Sequence, residues 1–315
     1  MAQQVASASV TVAQMHAHNA THSMWGALYP HNDGAEWSNA DPPVEDVLTG
    51  GSPTTLSAAV TVLNNARTLF NAHLGRYDAT SGDNIYAHKA NDGANLITAA
   101  AMSSGATYEA TMLAALITLV AECTTDYGNH ISNTGATPHT AADTTNVLGT
   151  SYTMTTADHV AERLNALKAL FNDHIVLTSG SVHGATGAVD AITAANASAT
   201  DYDSMRTLAN QLKAKLNAHA AQVAAIHGGG ADAVNTVSGA DVSYPSGIFD
   251  LGTEMITRLN AHFPSTTYHN VADTQLIVAS TPSTIATLIT LAQEVYTDLT
   301  AHIRAAPSSR AMRRV

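Results

Sequence analysis

Hydrophobic and polar residues follow one another along this chain in a helical rhythm. Three, seven, ten and fourteen residues before His174 stand Phe171, Leu167, Leu164 and Val160. A similar count back from His219 meets Leu216, Leu212, Leu208 and Met205, and from His302 it meets Leu299, Val295, Leu291 and Leu288. Apolar residues so spaced form one stripe of an amphipathic helix of about five turns. Capping hydroxyls and carboxylates precede the stripes, at Thr155-Thr156-Ala157-Asp158, Thr200-Asp201 and Thr281-Pro282-Ser283.

Each stripe ends in a recurring phrase. It reads Phe70-Asn71-Ala72-His73, Tyr127-Gly128-Asn129-His130, Phe171-Asn172-Asp173-His174, Leu216-Asn217-Ala218-His219, Leu259-Asn260-Ala261-His262 and Leu299-Thr300-Ala301-His302, at intervals of about 44 residues after a longer first one. A second phrase, roughly H-x-x-x-D-x-x-N-x-(I/L/V), follows the first five. His88, Asp92, Asn95 and Ile97 fit it, as do His139, Asp143, Asn146 and Leu148. His227, Asp232, Asn235 and Val237 fit with one residue inserted. His183 has Gly187 in the Asp slot and Asp190 in the Asn slot, and His269 with Asp273 lacks the Asn.

One helix cannot bury its own stripe, but stacked neighbours can. The expected fold is therefore all-α: a tandem array of about six long helices joined by His-x-x-x-Asp loops, arranged as a helical bundle or a solenoid. Residues 1–50 read as an N-terminal helical segment with a degenerate copy of the phrase at His18, His22, His31 and Asp33. Residues 51–303 are the array, and 304–315 a basic C-terminal tail.

Composition narrows the function. Charged residues are only 12% and aromatics 5%, so the helices are slim and pack through Ala rather than around large rings. A net charge of −12 argues against nucleic-acid binding by the body, leaving only the tail arginines, Arg304, Arg310, Arg313 and Arg314, for such a contact. Cys123 is the sole cysteine, which excludes an internal disulfide framework. The N-terminus lacks a signal-peptide pattern, and the longest apolar run, Met112 to Val120, is too short to span a bilayer, so a soluble protein made in a cytoplasm is expected.

Sixteen histidines are the unusual chemistry. At helix ends they are expected to cap free carbonyls, with the nearby Asn doing similar local work; His174→Ala should then cost about 0.5–2 kcal/mol. In the second phrase, the four-residue spacing of His139 and Asp143 suggests a local ion pair that raises the imidazole pKa, with stability highest in mildly acid conditions. The alternative is metal ligation, since two histidines and a carboxylate per unit make a ligand set for zinc, iron or nickel. Candidate ligands are His130, His139, Asp143, His174 and His183, together with the N-terminal cluster His16, His18 and His22. No catalytic pattern accompanies them: G-x-S-x-G and P-loop motifs are absent, and Cys123 sits in an apolar run. The same few residues recur evenly over every unit, which suits a scaffold and not an enzyme; no cofactor is expected beyond a divalent metal on the alternative reading.

The stretch Val182 to His219, with His139 to Asn146 and Thr200-Asp201, resembles a repeat of the form V-H-x-x-A-D-x-x-N-x-I-x-A found in proteins encoded by tailed bacteriophages. The resemblance covers about residues 55 to 303 and drifts at Gly187, Leu276 and the N-terminal copy. It implies a virion component, such as a capsid decoration, connector or tail-associated protein, whose partners are copies of itself and other virion proteins rather than membrane. The tail residues Arg310, Arg313 and Arg314 would then meet an acidic neighbour or nucleic acid.

Overall fold

The computed structural model describes residues 48–75, 90–134, 139–149, 152–178, 182–222, 226–227, 230–269 and 272–304, and these are all-α. Among them are six long helices: α1 (Leu56–Leu74), α2 (Gly105–Ser132), α3 (Ala157–His174), α4 (Tyr202–Ala220), α5 (Asp250–His262) and α6 (Ile285–Arg304). Single 3-10 turns lie at Gly93–Asn95 and Ala188–Asp190, and the described residues contain no strand. Most of the 1–50 segment, with His16, His18 and His22, and the tail with Arg310, Arg313 and Arg314 lie outside the described residues.

Helix starts follow their capping chemistry. Thr55, Thr156 and Asp201 accept hydrogen bonds from first-turn N–H groups of α1, α3 and α4. At α6 the cap is Thr284, one residue beyond the Ser283 suggested by the sequence. Its hydroxyl accepts from Thr287 N, and the Thr287 hydroxyl accepts from Ser283 N and Thr284 N. The pair works as a capping box with Thr in place of Glu.

The chain forms two compact units, one built on α1, α5 and α6 and the other on α2, α3 and α4. In the second, Leu116, Val120, Cys123 and Tyr127 of α2 share a core with Val160, Leu164, Leu167 and Phe171 of α3 and Met205, Leu208, Leu212 and Leu216 of α4. At 28 residues, α2 is apolar enough by length and composition to cross a membrane, but its stripe is part of this core. The first unit buries the matching stripes, including Leu63 and Phe70, Met255 and Leu259, and Leu291, Val295 and Leu299.

Among the described residues between helices no strand forms, so their backbone groups need other partners. Side-chain amides supply them. Asn71, Asn172, Asn217 and Asn260, each two residues before a helix-end histidine, both donate to and accept from the backbone of Ile97, Ile192, Val237 and Val278 at 2.8–3.1 Å. Seven residues earlier, Asn64, Asn165 and Asn210 hold Met102, Ala197 and Val242 in the same way. The other flank is held by an acceptor eight residues before the histidine of another helix in the same unit. Glu254, Gln211, Glu122 and Glu294 accept the N–H groups of Thr98 and Ala99, Thr193 and Ala194, Ser238 and Gly239, and Ala279 and Ser280. The Asn expected to cap locally thus clamps a distant segment, because it lies on the flank of its helix beside the buried stripe.

Loss of one clamp leaves an N–H and a C=O unpaired in a half-buried setting, worth about 1–3 kcal/mol. Asn217→Ala should lower the urea midpoint accordingly by freeing Val237. An unchanged midpoint would show that the clamps carry no stability.

Candidate metal centre

Each apolar stripe is continued by its histidine, which falls three residues after the last large apolar side chain. The ring is therefore directed into the core and not back over its own helix end. His130, His174 and His219 of α2, α3 and α4 are buried, and so are the loop residues His139, His183 and His227. One ring nitrogen from each of His130, His139, His174, His183 and His219 falls in a group whose members all lie within 4.8 Å of one another. His227 joins them, its Nε2 lying 3.3 Å from that of His219; the Nε2 atoms of His139 and His183 are 3.2 Å apart.

The other nitrogen of most rings faces outward to an acceptor. His130 Nδ1 lies 2.9 Å from Asp232 Oδ2, His174 Nδ1 lies 2.9 Å from Asp143 Oδ2, and His219 Nδ1 lies 3.7 Å from Asp190. His183 and His227 direct Nδ1 to the carbonyls of Leu177 and Gln222, at 3.1 and 2.9 Å. A nitrogen hydrogen-bonded to a carboxylate or carbonyl carries the proton, so the inward Nε2 of His130, His174, His183 and His227 presents a lone pair, whereas Nδ1 of His139 and His219 makes no such bond. Carboxylate or carbonyl behind and lone pair in front is the arrangement that second-shell groups impose on metal-binding histidines. At His130 and His174, Nε2 is buried and accepts no hydrogen bond.

The loop Asp does more than orient an imidazole. Asp143 Oδ1 accepts from Asn146 N and its Oδ2 from Asn146 Nδ2, closing the Asx turn expected from their spacing; Asp92 with Asn95 and Asp232 with Asn235 do the same. Backbone N–H groups of Asp92, Asp143, Gly187, Asp232 and Asp273 bond the carbonyls of Leu74, Ile131, Ile175, Ala220 and Phe263, each just past a helix-end histidine. Backbone donors thus satisfy the helix termini, and the histidines are not the caps the sequence suggested. At Gly187 a Cβ would stand 3.2 Å from His219 Nδ1, so the phrase drops its side chain there and Asp190 brings the carboxylate instead.

The first unit holds a related cluster. Ligand atoms of His73, His262 and His302 gather within 4.8 Å. His262 Nδ1 lies 2.7 Å from Asp92, His302 Nδ1 3.3 Å from Asp273, and His269 Nδ1 3.0 Å from the Ser265 carbonyl. The His269 ring packs edge to face on His262, with centroids 4.5 Å apart.

His130, His139, His174 and His183 are thus brought together, whereas Asp143 stands behind His174 as its acceptor. His139 and Asp143 do not form the local pair their spacing suggested: Asp143 bonds His174 of the next helix, and His139 faces His183. His73, His219, His227, His262, His269 and His302 complete the two clusters. Their repeated phrases marked them, but spacing within one unit directed attention to ligands from a single loop, while each cluster draws on several helices. No known protein family, curated protein or solved structure matches the chain.

Burial, and then the neighbouring imidazoles, push the pKa of His139 down to about 2; burial with the nearby rings brings His183 down to about 3. Burial likewise depresses His130, His174 and His219, outweighing the carboxylates that raise the first two. Asp143 and Asp232 are raised by burial, but bonds from His174 and Asn146 and from His130 and Asn235 bring them below the usual carboxylate range. Unfolded imidazoles protonate below about pH 6.5, whereas the folded ones stay neutral. The unfolded state then binds more protons, so stability is full above about 6.5 and falls as pH drops towards the depressed folded values. The two aspartates act in the same direction, with stability present above about 3.9 and lost below it. The melting temperature should rise steadily from pH 4 to 7.5, opposite to the mildly acid maximum expected of raised histidines. A maximum near pH 5–6 would contradict neutral burial.

Proposed function

We propose that this protein is a metal-stapled structural scaffold in which each three-helix unit closes on one buried divalent transition-metal ion. The observation that carries the proposal is the set of six buried imidazoles of the second unit, whose Nε2 atoms converge and four of which have a carboxylate or carbonyl hydrogen-bonded behind them. Without a cation the lone pairs there repel and stay desolvated; a cation turns the same geometry into a site. A structural ion can contribute about 10–16 kcal/mol, comparable with the whole net stability of about 5–15 kcal/mol typical of a domain. That scale suits a chain short of aromatic core.

Each helix with its following phrase is one repeat of a tandem array, and three repeats close around an ion. Support comes from the recurring Asn clamps and from the backbone bond past each helix-end histidine. The role is structural and not catalytic. The resemblance to tailed-phage repeat proteins supports a place in a virion, held by contacts with copies of itself and with other virion proteins. Light scattering of the purified chain should show self-association, and a monomer at all concentrations that binds no particle protein would count against that placement.

Elemental analysis should find one ion per unit, two per chain. A chelator at neutral pH should lower the melting temperature steeply, and restored metal should recover it. His174→Ala should be strongly destabilised with metal present and should differ little from the parent once both are stripped. Metal-free protein with an unchanged melting curve in chelator would refute the staple.

A further inference from the structure

We infer that the cluster of the second unit is a six-coordinate, all-imidazole octahedral site for a divalent ion of the iron, cobalt and nickel group, an inference that rests on the metal-staple function proposed above. The arrangement of the rings carries it. His130 stands across from His183, His139 from His219, and His174 from His227, and the members of these pairs do not meet. Every ring packs against the other four, with centroids 4.6–5.5 Å apart. Six groups sorted into three opposite pairs, with all remaining pairs adjacent, are the vertices of an octahedron.

The nitrogens agree with the rings. A metal–nitrogen bond of about 2.1 Å places adjacent octahedral donors about 3.0 Å apart and opposite donors about 4.2 Å apart. The Nε2 separations of 3.2 and 3.3 Å belong to His139 with His183 and His219 with His227, which are adjacent pairs. The five-membered group within 4.8 Å includes two of the opposite pairs, while His227, opposite His174, stands outside it and meets the group through His219. A tetrahedral ion would also accept adjacent distances near these, but it has no opposite ligands and would leave two of the buried imidazoles without a bond.

Chain topology accounts for the octahedron. His130, His174 and His219, all from helix ends, are mutually adjacent and form one triangular face; His139, His183 and His227, all from loops, form the other. Each helix-end histidine opposes a loop histidine from a different repeat: the loop after α3 for α2, the loop after α4 for α3, and the loop after α2 for α4. The carboxylates follow the reverse cyclic order, since Asp232, Asp143 and Asp190 follow α4, α2 and α3 and serve the histidines of α2, α3 and α4. Three repeats about a threefold axis give six donors, and the three carboxylates offset the charge of a buried dication.

Donor type and geometry select the ion. Imidazole suits iron, nickel, copper and zinc, whereas magnesium, calcium and manganese favour oxygen. Zinc in structural sites takes four ligands, and copper(II) favours a tetragonal set. A regular six-nitrogen site leaves iron(II), cobalt(II) and nickel(II). With every position filled by protein, the ion has none for a substrate, as in closed structural sites.

The test is a crystal structure of the full chain reconstituted with equal concentrations of nickel(II) and zinc(II), and separately with iron(II) and zinc(II) without oxygen, with anomalous maps at each metal's edge. Such maps resolve this cluster from that of the first unit. Nickel should occupy the cluster over zinc, and iron should enter it in the same geometry, each bonded to all six Nε2 atoms. Zinc held by four histidines with two rings turned aside would overturn the octahedral assignment and leave the staple standing. An ion-free cluster would overturn both.

Discussion

The fold of the second unit depends on imidazole lone pairs directed at one point and kept there by acceptors behind the rings. His130 and His174 each have a carboxylate within 2.9 Å of Nδ1, which makes the inward nitrogen an acceptor that no protein donor serves. Such a centre is destabilising alone and strongly stabilising around a cation. Each Asp that orients a ring also pins the chain, since its backbone N–H closes the end of the preceding helix and its carboxylate reaches a histidine on another. Loop, helix end and centre are thereby coupled.

Outside the centre the same economy recurs. Extended segments lie against the helices without pairing as strands, and Asn, Gln and Glu side chains take over the bonds a sheet would provide. Asn172 holds Ile192 on one flank while Gln211 holds Thr193 and Ala194 on the other. Register is then set by amides at fixed distances from the histidine, so the clamps and the donors are placed by one helical periodicity. This explains why a chain with 5% aromatic residues can order long connections.

Much of this was legible in advance, and the reason is local. The stripe leading to Phe171 and His174, the hydroxyl of Thr156 and the carboxylate of Asp201 act within a helical turn or along one face, so spacing alone discloses them. The Asx turn of Asp143 and Asn146 is also local, with partners three residues apart. The roles of Asn217 and Glu122 were not legible, because their partners, Val237 and Ser238, are placed by packing rather than by proximity in the chain.

The sequence by itself determined that about six helices form, where α3 and α4 begin, and that a histidine follows the apolar stripe of each. Tertiary structure alone decided what those histidines face. Four residues apart, His139 and Asp143 invite a local pair, yet Asp143 turns to His174 and His139 to His183. Which repeats meet depends on how three helices close about an axis, a long-range choice made by burial of whole stripes. The octahedral order of the rings belongs to that closure: each repeat contributes only two of the six donors, and no stretch of sequence contains the axis.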